Sequence, residues 1–179
     1  MKNSLLYLVV LVLAFFIISA SSCHKEDPIP DLVPITTTGA NTMGFYVDGV
    51  PVNIKGKHGG LSSVGVKGGI INGEIIYLLG SAENSNPINS ISIYLPIDQS
   101  NVLKEYKLNN DKWHYDEVSV IDHSDLGGNT YKTDSIYCGF LKLLKLDSKI
   151  ISGTFFFDAI DSETGKVIHI TDGRFDFSN

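Results

Sequence analysis

Ile150-Ile151-Ser152-Gly153-Thr154-Phe155-Phe156-Phe157-Asp158-Ala159, a turn over residues 161–165, then Lys166-Val167-Ile168-His169-Ile170-Thr171-Asp172-Gly173-Arg174-Phe175-Asp176-Phe177: this stretch decides the fold. Successive residues of a strand point to opposite faces, so Phe155 and Phe157 share the core side and Phe156 points outward, where a neighbouring element would cover it. Phe175 and Phe177 alternate with Arg174 and Asp176, which gives one apolar and one charged face. Gly173 permits a bulge that re-aims the second strand. Arg174 is the only arginine of the chain. Between Asp172 and Asp176 it is placed to bridge to a carboxylate and pin the C-terminal strand; the alternative is a site for the carboxylate of a ligand.

The pattern extends toward the N-terminus. Residues 136–146 pair with 150–159 across Asp147-Ser148-Lys149, and 131–134 make a short strand. The spacing also predicts strands over 44–47, 50–52, 63–71, 74–79, 89–95 and 113–121. Asp48-Gly49 and Asn72-Gly73 sit between apolar runs, where a type I′ turn needs φ > 0 at both central residues. Pro51 assigns its strand to an edge or a bulge. No stretch reads as a helix beyond a single turn around residues 98–103. Composition agrees: Ile, Val and Thr number 20, 13 and 9, against five Ala, and β-branched residues favour strands where Ala favours helices. About ten strands with short connections predict an all-β domain, an antiparallel β-sandwich, with a closed up-and-down β-barrel as the alternative.

The first 22 residues read as a signal peptide. Lys2 is followed by an apolar run over residues 5–18, then Ser19, Ala20, Ser21 and Ser22, then Cys23. The run is shorter than the about 20 residues a membrane-spanning helix needs; a plain membrane anchor and ordinary secretion are the rival readings. The order resembles a bacterial lipobox, with Ala20 where Leu is usual. That resemblance implies a thioether-linked diacylglycerol on Cys23 and an acylated (for example palmitoylated) amine, a two-chain anchor that holds stably. Lys25, Glu26 and Asp27 directly after the cysteine resemble the surface-export signal of Bacteroidota lipoproteins, which implies a lipid-anchored protein of the outer membrane facing the exterior. Residues 23–38, punctuated by Pro28, Pro30 and Pro34, read as an extended tether, and 39–179 as a single domain.

Three stretches carry a further resemblance: Gly39-Ala40-Asn41-Thr42-Met43-Gly44-Phe45-Tyr46-Val47-Asp48-Gly49, Ile151-Ser152-Gly153-Thr154-Phe155-Phe156-Phe157, and His169-Ile170-Thr171-Asp172-Gly173-Arg174-Phe175-Asp176. Together they resemble a domain of unknown function common in Bacteroidota lipoproteins. The resemblance covers the domain from Gly39 onward, weakest in the middle, and implies no activity or site residues.

Chemistry is sparse. The net charge is −6, which disfavours nucleic acid, since phosphates need clustered Lys and Arg. No nucleophile elbow or phosphate loop occurs. Gly56, Gly59 and Gly60 surround Lys55, Lys57 and His58; such a segment either cradles an anion on backbone donors or is a plain hairpin loop. His114, Asp116, Asp122, His123 and Asp125 are weak candidates for holding Zn²⁺; Asp122, Ser124 and Asp125 could instead offer oxygens to Ca²⁺, though without the spacing of a known calcium loop, and solvated loop carboxylates are the rival reading. Trp113 and Tyr115 share a strand face, to stack on a sugar or to pack across strands. Cys138, alone once Cys23 is lipidated, reads as a small buried hydrophobe with Ile136 and Phe140 on its face. No cofactor, catalytic residue or assigned metal site is implied. The sequence therefore predicts a non-catalytic binding or scaffolding domain for an extracellular ligand or envelope protein. A surface-displayed hydrolase or glycan-processing enzyme and an envelope assembly component are the alternatives.

Overall fold

The computed structural model describes residues 31–59, 64–82, 88, 90–97, 103, 105–109, 118–121 and 129–178. They form eleven strands and no helix. In chain order these are β1 (Thr42–Val47), β2 (Val50–Lys55), β3 (Gly65–Ile71), β4 (Ile75–Ser81), β5 (Ser90–Pro96), β6 (Glu105–Leu108), β7 (Val118–Ile121), β8 (Thr130–Lys132), β9 (Gly139–Leu146), β10 (Ile150–Ile160) and β11 (Val167–Ser178). All pairs of strands are antiparallel, in the order β2-β1-β11-β10-β8-β7-β5-β4-β3, with β9 beside β10 and β6 beside β9.

The path folds into two layers. One holds β2, β1, β11, β10, β9 and β6; the other holds β8, β7, β5, β4 and β3. A single pair, Ile160 with Lys132, joins them. Glycines of the second layer receive side chains of the first: Gly68 of β3 lies against the Phe177 ring, and Gly80 of β4 against Met43 and Ile54. The ladder is not closed into a barrel. Its two ends touch only in an isolated parallel bridge of Lys57 with Val66, among the described residues. The all-β sandwich stands, and the barrel alternative is set aside.

Turn chemistry acts where the sequence placed it. Asp48 and Gly49 have φ of 50° and 83°, Asn72 and Gly73 of 52° and 73°. Pro51 lies on β2, an end strand of the path, where a missing N–H costs no ladder bond. β4 and β5 alternate buried and half-buried positions along their length. β6 escapes the sequence reading because only Tyr106 and Leu108 face inward, too short a run to show a period of two.

The core centres on phenylalanines. Phe45, Phe157 and Phe175 ring Phe155 at centroid distances of 5.9, 6.1 and 6.3 Å, and Phe175 touches Phe177 at 5.3 Å. Two of these rings cover glycines directly across the β10–β11 pair: Phe175 over Gly153, and Phe155 over Gly173. Glycine there leaves room for a ring to lie on backbone. The bulge predicted at Gly173 is present, since both neighbours of β11 shift register beside residues 171–173. Its positive φ, 53°, falls on Asp172, a residue type that tolerates this region. Gly173 serves close approach instead. A methyl group there would sit 2.4 Å from Phe155 Cδ2 and 2.6 Å from its carbonyl oxygen. Gly173→Ala should cost about 2 kcal/mol through overpacking, read as a lower urea midpoint at constant slope; an unchanged midpoint would refute this role.

Phe156 is not covered by a neighbouring element. It is 52% exposed and packs at a tilt of 47° against Phe140 across the β9–β10 pair, at 5.7 Å between ring centroids. Cys138 is half-buried rather than buried, because the chain bends at residues 135–137 and Ile136 is left 78% exposed. Asp134 holds that bend by accepting from the amides of Ile136 and Tyr137.

One compact unit spans Asp31–Asn179, so it starts upstream of the predicted boundary at Gly39. Residues 31–40 do not run free; they lie on the outer face of β1 and β11. Leu32 and Val33 are buried. The amide of Val33 donates to Asn53 Oδ1 at 2.7 Å, and Asn53 Nδ2 donates to the carbonyl of Asp31 at 2.7 Å. Arg174 Nη1 donates to the Val33 carbonyl, and Asp176 accepts from Thr36, Thr38, Gly39 and Ala40. Hence β11 is buried on both faces from Gly173 to Phe177.

Candidate functional site

β2 ends at Lys55, and Gly56 turns the chain with φ of 91°. The Gly56 amide donates to the Asn41 carbonyl at 2.9 Å. Val66 N donates to the Gly56 carbonyl and His58 N to the Val66 carbonyl, each at 2.8 Å. These bonds lay Lys57 and His58 beside the start of β3. The anion cradle on backbone donors is therefore corrected for two of its groups, since the amides of Gly56 and His58 are already used.

Beyond Val66 the β3 strand parts from that segment, and an open cleft of about 650 Å³ lies along it. One wall is Lys67, Gly68, Gly69 and Ile70 of β3, with Tyr77 of β4. Lys57 and His58 form one end. Leu146, Asp147 and Ser148 of the β9–β10 turn, with Ser178 of β11, form the far wall. Gly69 is covered by the Tyr77 ring opposite it, and a methyl group there would sit 2.7 Å from Tyr77 Cε1.

The charges in the cleft are unequal in their commitments. Asp147 Oδ1 accepts from the amides of Lys149 and Ile150, both at 2.8 Å, and its other oxygen lies 3.5 Å from Lys145 Nζ. The two amide bonds, first that from Lys149, hold its carboxyl below the usual carboxylate range. Lys57 and Lys67 are both exposed, and their ammonium groups make no ion pair among the described residues. In a chain of net charge −6, the cleft offers two uncommitted cations.

The other predicted residues divide in two. Cys23, Lys25, Glu26 and Asp27 lie outside the described residues, as do His114, Asp116, Asp122, His123 and Asp125, and also Trp113 and Tyr115. Among the described residues no group of three or more His, Cys, Asp or Glu is arranged to hold a metal ion. Arg174 is 3% exposed, beneath residues 31–40, and donates to the carbonyls of Val33 and Asp172. The ligand-carboxylate alternative fails there, because the chain itself occupies the space. His169 pairs with Asp158, Nδ1 to Oδ1 at 2.7 Å, on the exposed surface; that hydrogen bond raises its pKa.

Sequence reasoning reached Lys57 and His58 but not the cleft. Its walls come from residues 57–77 and 146–178, and no local pattern announces that they meet. The pair Gly68-Gly69 in a strand run was the available signal. Compared with protein-family models, curated proteins and solved structures, the chain matches none. The resemblance to a Bacteroidota lipoprotein domain thus rests on its motifs alone.

Proposed function

We propose that this chain is a non-catalytic binding domain held on the outer membrane by a lipid on Cys23 and displayed to the exterior through Lys25, Glu26 and Asp27. The binding half of this reading is carried by the open cleft and its two uncommitted lysines. The anchoring half is supported by the residue order from Lys2 to Asp27. The domain would engage molecules that come to the envelope.

Cys23→Ser should release the protein from membranes or stall its processing, and changing Lys25, Glu26 and Asp27 all to Ala should retain anchoring while hiding the domain from protease added to intact cells. Mass spectrometry of the mature N-terminus showing an unmodified Cys23 would end the lipid reading. Equal protease sensitivity of wild type and the triple variant would end the export reading.

A further inference from the structure

The cleft is lined by four consecutive residues of β3, Lys67 to Ile70. Consecutive strand residues point to opposite faces, so a cavity that meets all four sees the strand edge-on. β3 is the last strand of its layer and, after the bridge at Val66, pairs with β4 alone. The edge facing the cleft therefore has no partner strand among the described residues. Sheet edges are normally blunted by proline, bulges or inward charges. β2, at the other end of the path, carries Pro51. β3 instead carries Gly68-Gly69, with a covering ring on each: Phe177 from one side and Tyr77 from the other. Two glycines in an edge strand let another backbone come close. Ile70 and Ile71, 41% and 38% exposed, continue the edge.

We infer that β3 takes an extended, acidic peptide segment of another protein as an added strand, with carboxylates of the peptide meeting Lys57 and Lys67. Main-chain bonds to a sheet edge supply affinity in such complexes, and side-chain contacts supply choice. Charge selects the occupant. A second copy of this chain pairing edge to edge would crowd both copies' Lys57 and Lys67 into one seam. An acidic strand neutralises the lysines instead. This inference deepens the binding reading above and is independent of anchoring, so the experiment below and the Cys23 experiment fail separately.

The test uses the full-length chain in detergent and a fluorescein-labelled eight-residue peptide of alternating Glu and Val, followed by anisotropy. Two control peptides carry Lys for Glu, or N-methyl groups on alternate backbone amides. The acidic peptide should bind saturably and weaken as salt rises. N-methylation should weaken it by about tenfold or more through lost main-chain bonds. Lys57→Glu with Lys67→Glu should weaken it by a similar factor by turning attraction into repulsion. Both lysines are exposed, so the variant should keep its unfolding temperature; Lys57→Gln with Lys67→Gln serves if it does not. Equal binding of the N-methylated peptide would overturn strand addition. Unchanged binding by both lysine variants would overturn the site. No saturable binding of the acidic peptide would overturn the inference, and self-association of Lys67→Glu would then show that Lys67 only guards the edge.

Discussion

A chain ended at Asp172 should not fold. Its missing residues look expendable, since chain ends are often frayed, yet they are the middle of the first layer. β11 lies between β1 and β10 and pairs with both along its length. Removing Gly173 onward takes away Phe175, 2% exposed, and Phe177, fully buried. Each large side chain contributes about 2–3 kcal/mol on burial. It also leaves Thr42–Gly44 of β1 and Ile150–Phe155 of β10 without their β11 partners and exposes Phe45 and Phe155, which pack in the same ring cluster. Domains hold only about 5–15 kcal/mol in total, so the loss exceeds what is available. Far-ultraviolet circular dichroism and thermal unfolding of the full and shortened chains decide it. A cooperative transition at an unchanged temperature in the shortened chain would show that β11 is dispensable.

How much of this was legible depends on how local the cause is. Asp48-Gly49 and Asn72-Gly73 announce their turns because positive φ is a property of the two residues themselves. The alternation of Phe175 and Phe177 with Arg174 and Asp176 marks β11 as a strand with two unlike faces. Nothing in it says that the charged face is buried. That follows only when residues 31–40 fold back over it, and Pro34 of that stretch suggests a tether as readily as a docked strap. Phe156 misleads in the opposite way: an aromatic in a core-like run is left exposed because, among the described residues, no third layer lies outside β9 and β10 at that point. The cleft was the least legible feature. Lys57 and Lys67 lie close in sequence, but the β9–β10 turn that walls them comes from the other end of the chain. Of the site residues named from sequence, the lipid, export and metal candidates fall outside the described residues, so the structure bears on none of them.

Asp176→Asn should destabilise the protein by about 4 kcal/mol and loosen residues 31–40. Asp176 is 1% exposed. Its Oδ2 accepts from Thr36 Oγ1 at 2.6 Å, Thr38 N at 2.9 Å, Ala40 N at 3.1 Å and Thr38 Oγ1 at 3.3 Å, while Oδ1 accepts from Gly39 N at 2.8 Å. One carboxylate thus organises the whole turn into β1. An amide offers one oxygen and turns an NH₂ toward donors. Bonds to a charged group contribute about 1.5–3 kcal/mol each, and buried donors left unmet cost about as much again, partly recovered if the segment lifts into water. For a domain of this size 4 kcal/mol corresponds to a melting temperature lower by roughly 10–15 °C. Acid gives an independent reading of the same group. Burial pushes the Asp176 carboxyl up, but the bonds from Thr36, Ala40, Thr38 and Gly39 outweigh it, so its pKa lies below the usual value. The folded state therefore holds this proton more weakly than the unfolded chain does. Stability from Asp176 is fully present above the ordinary carboxylate range of about 4 and is lost as pH falls through the lowered folded value. Asp161, held low by Thr164, contributes in the same direction, so Asp176→Asn should flatten the acid loss without abolishing it. The decisive comparison is unfolding of wild type and variant at neutral pH and near pH 3, with proteolysis within residues 31–40 followed in parallel. If the two proteins unfold alike at both values and their N-terminal segments are cut at the same rate, the carboxylate is not what fastens this segment to β11.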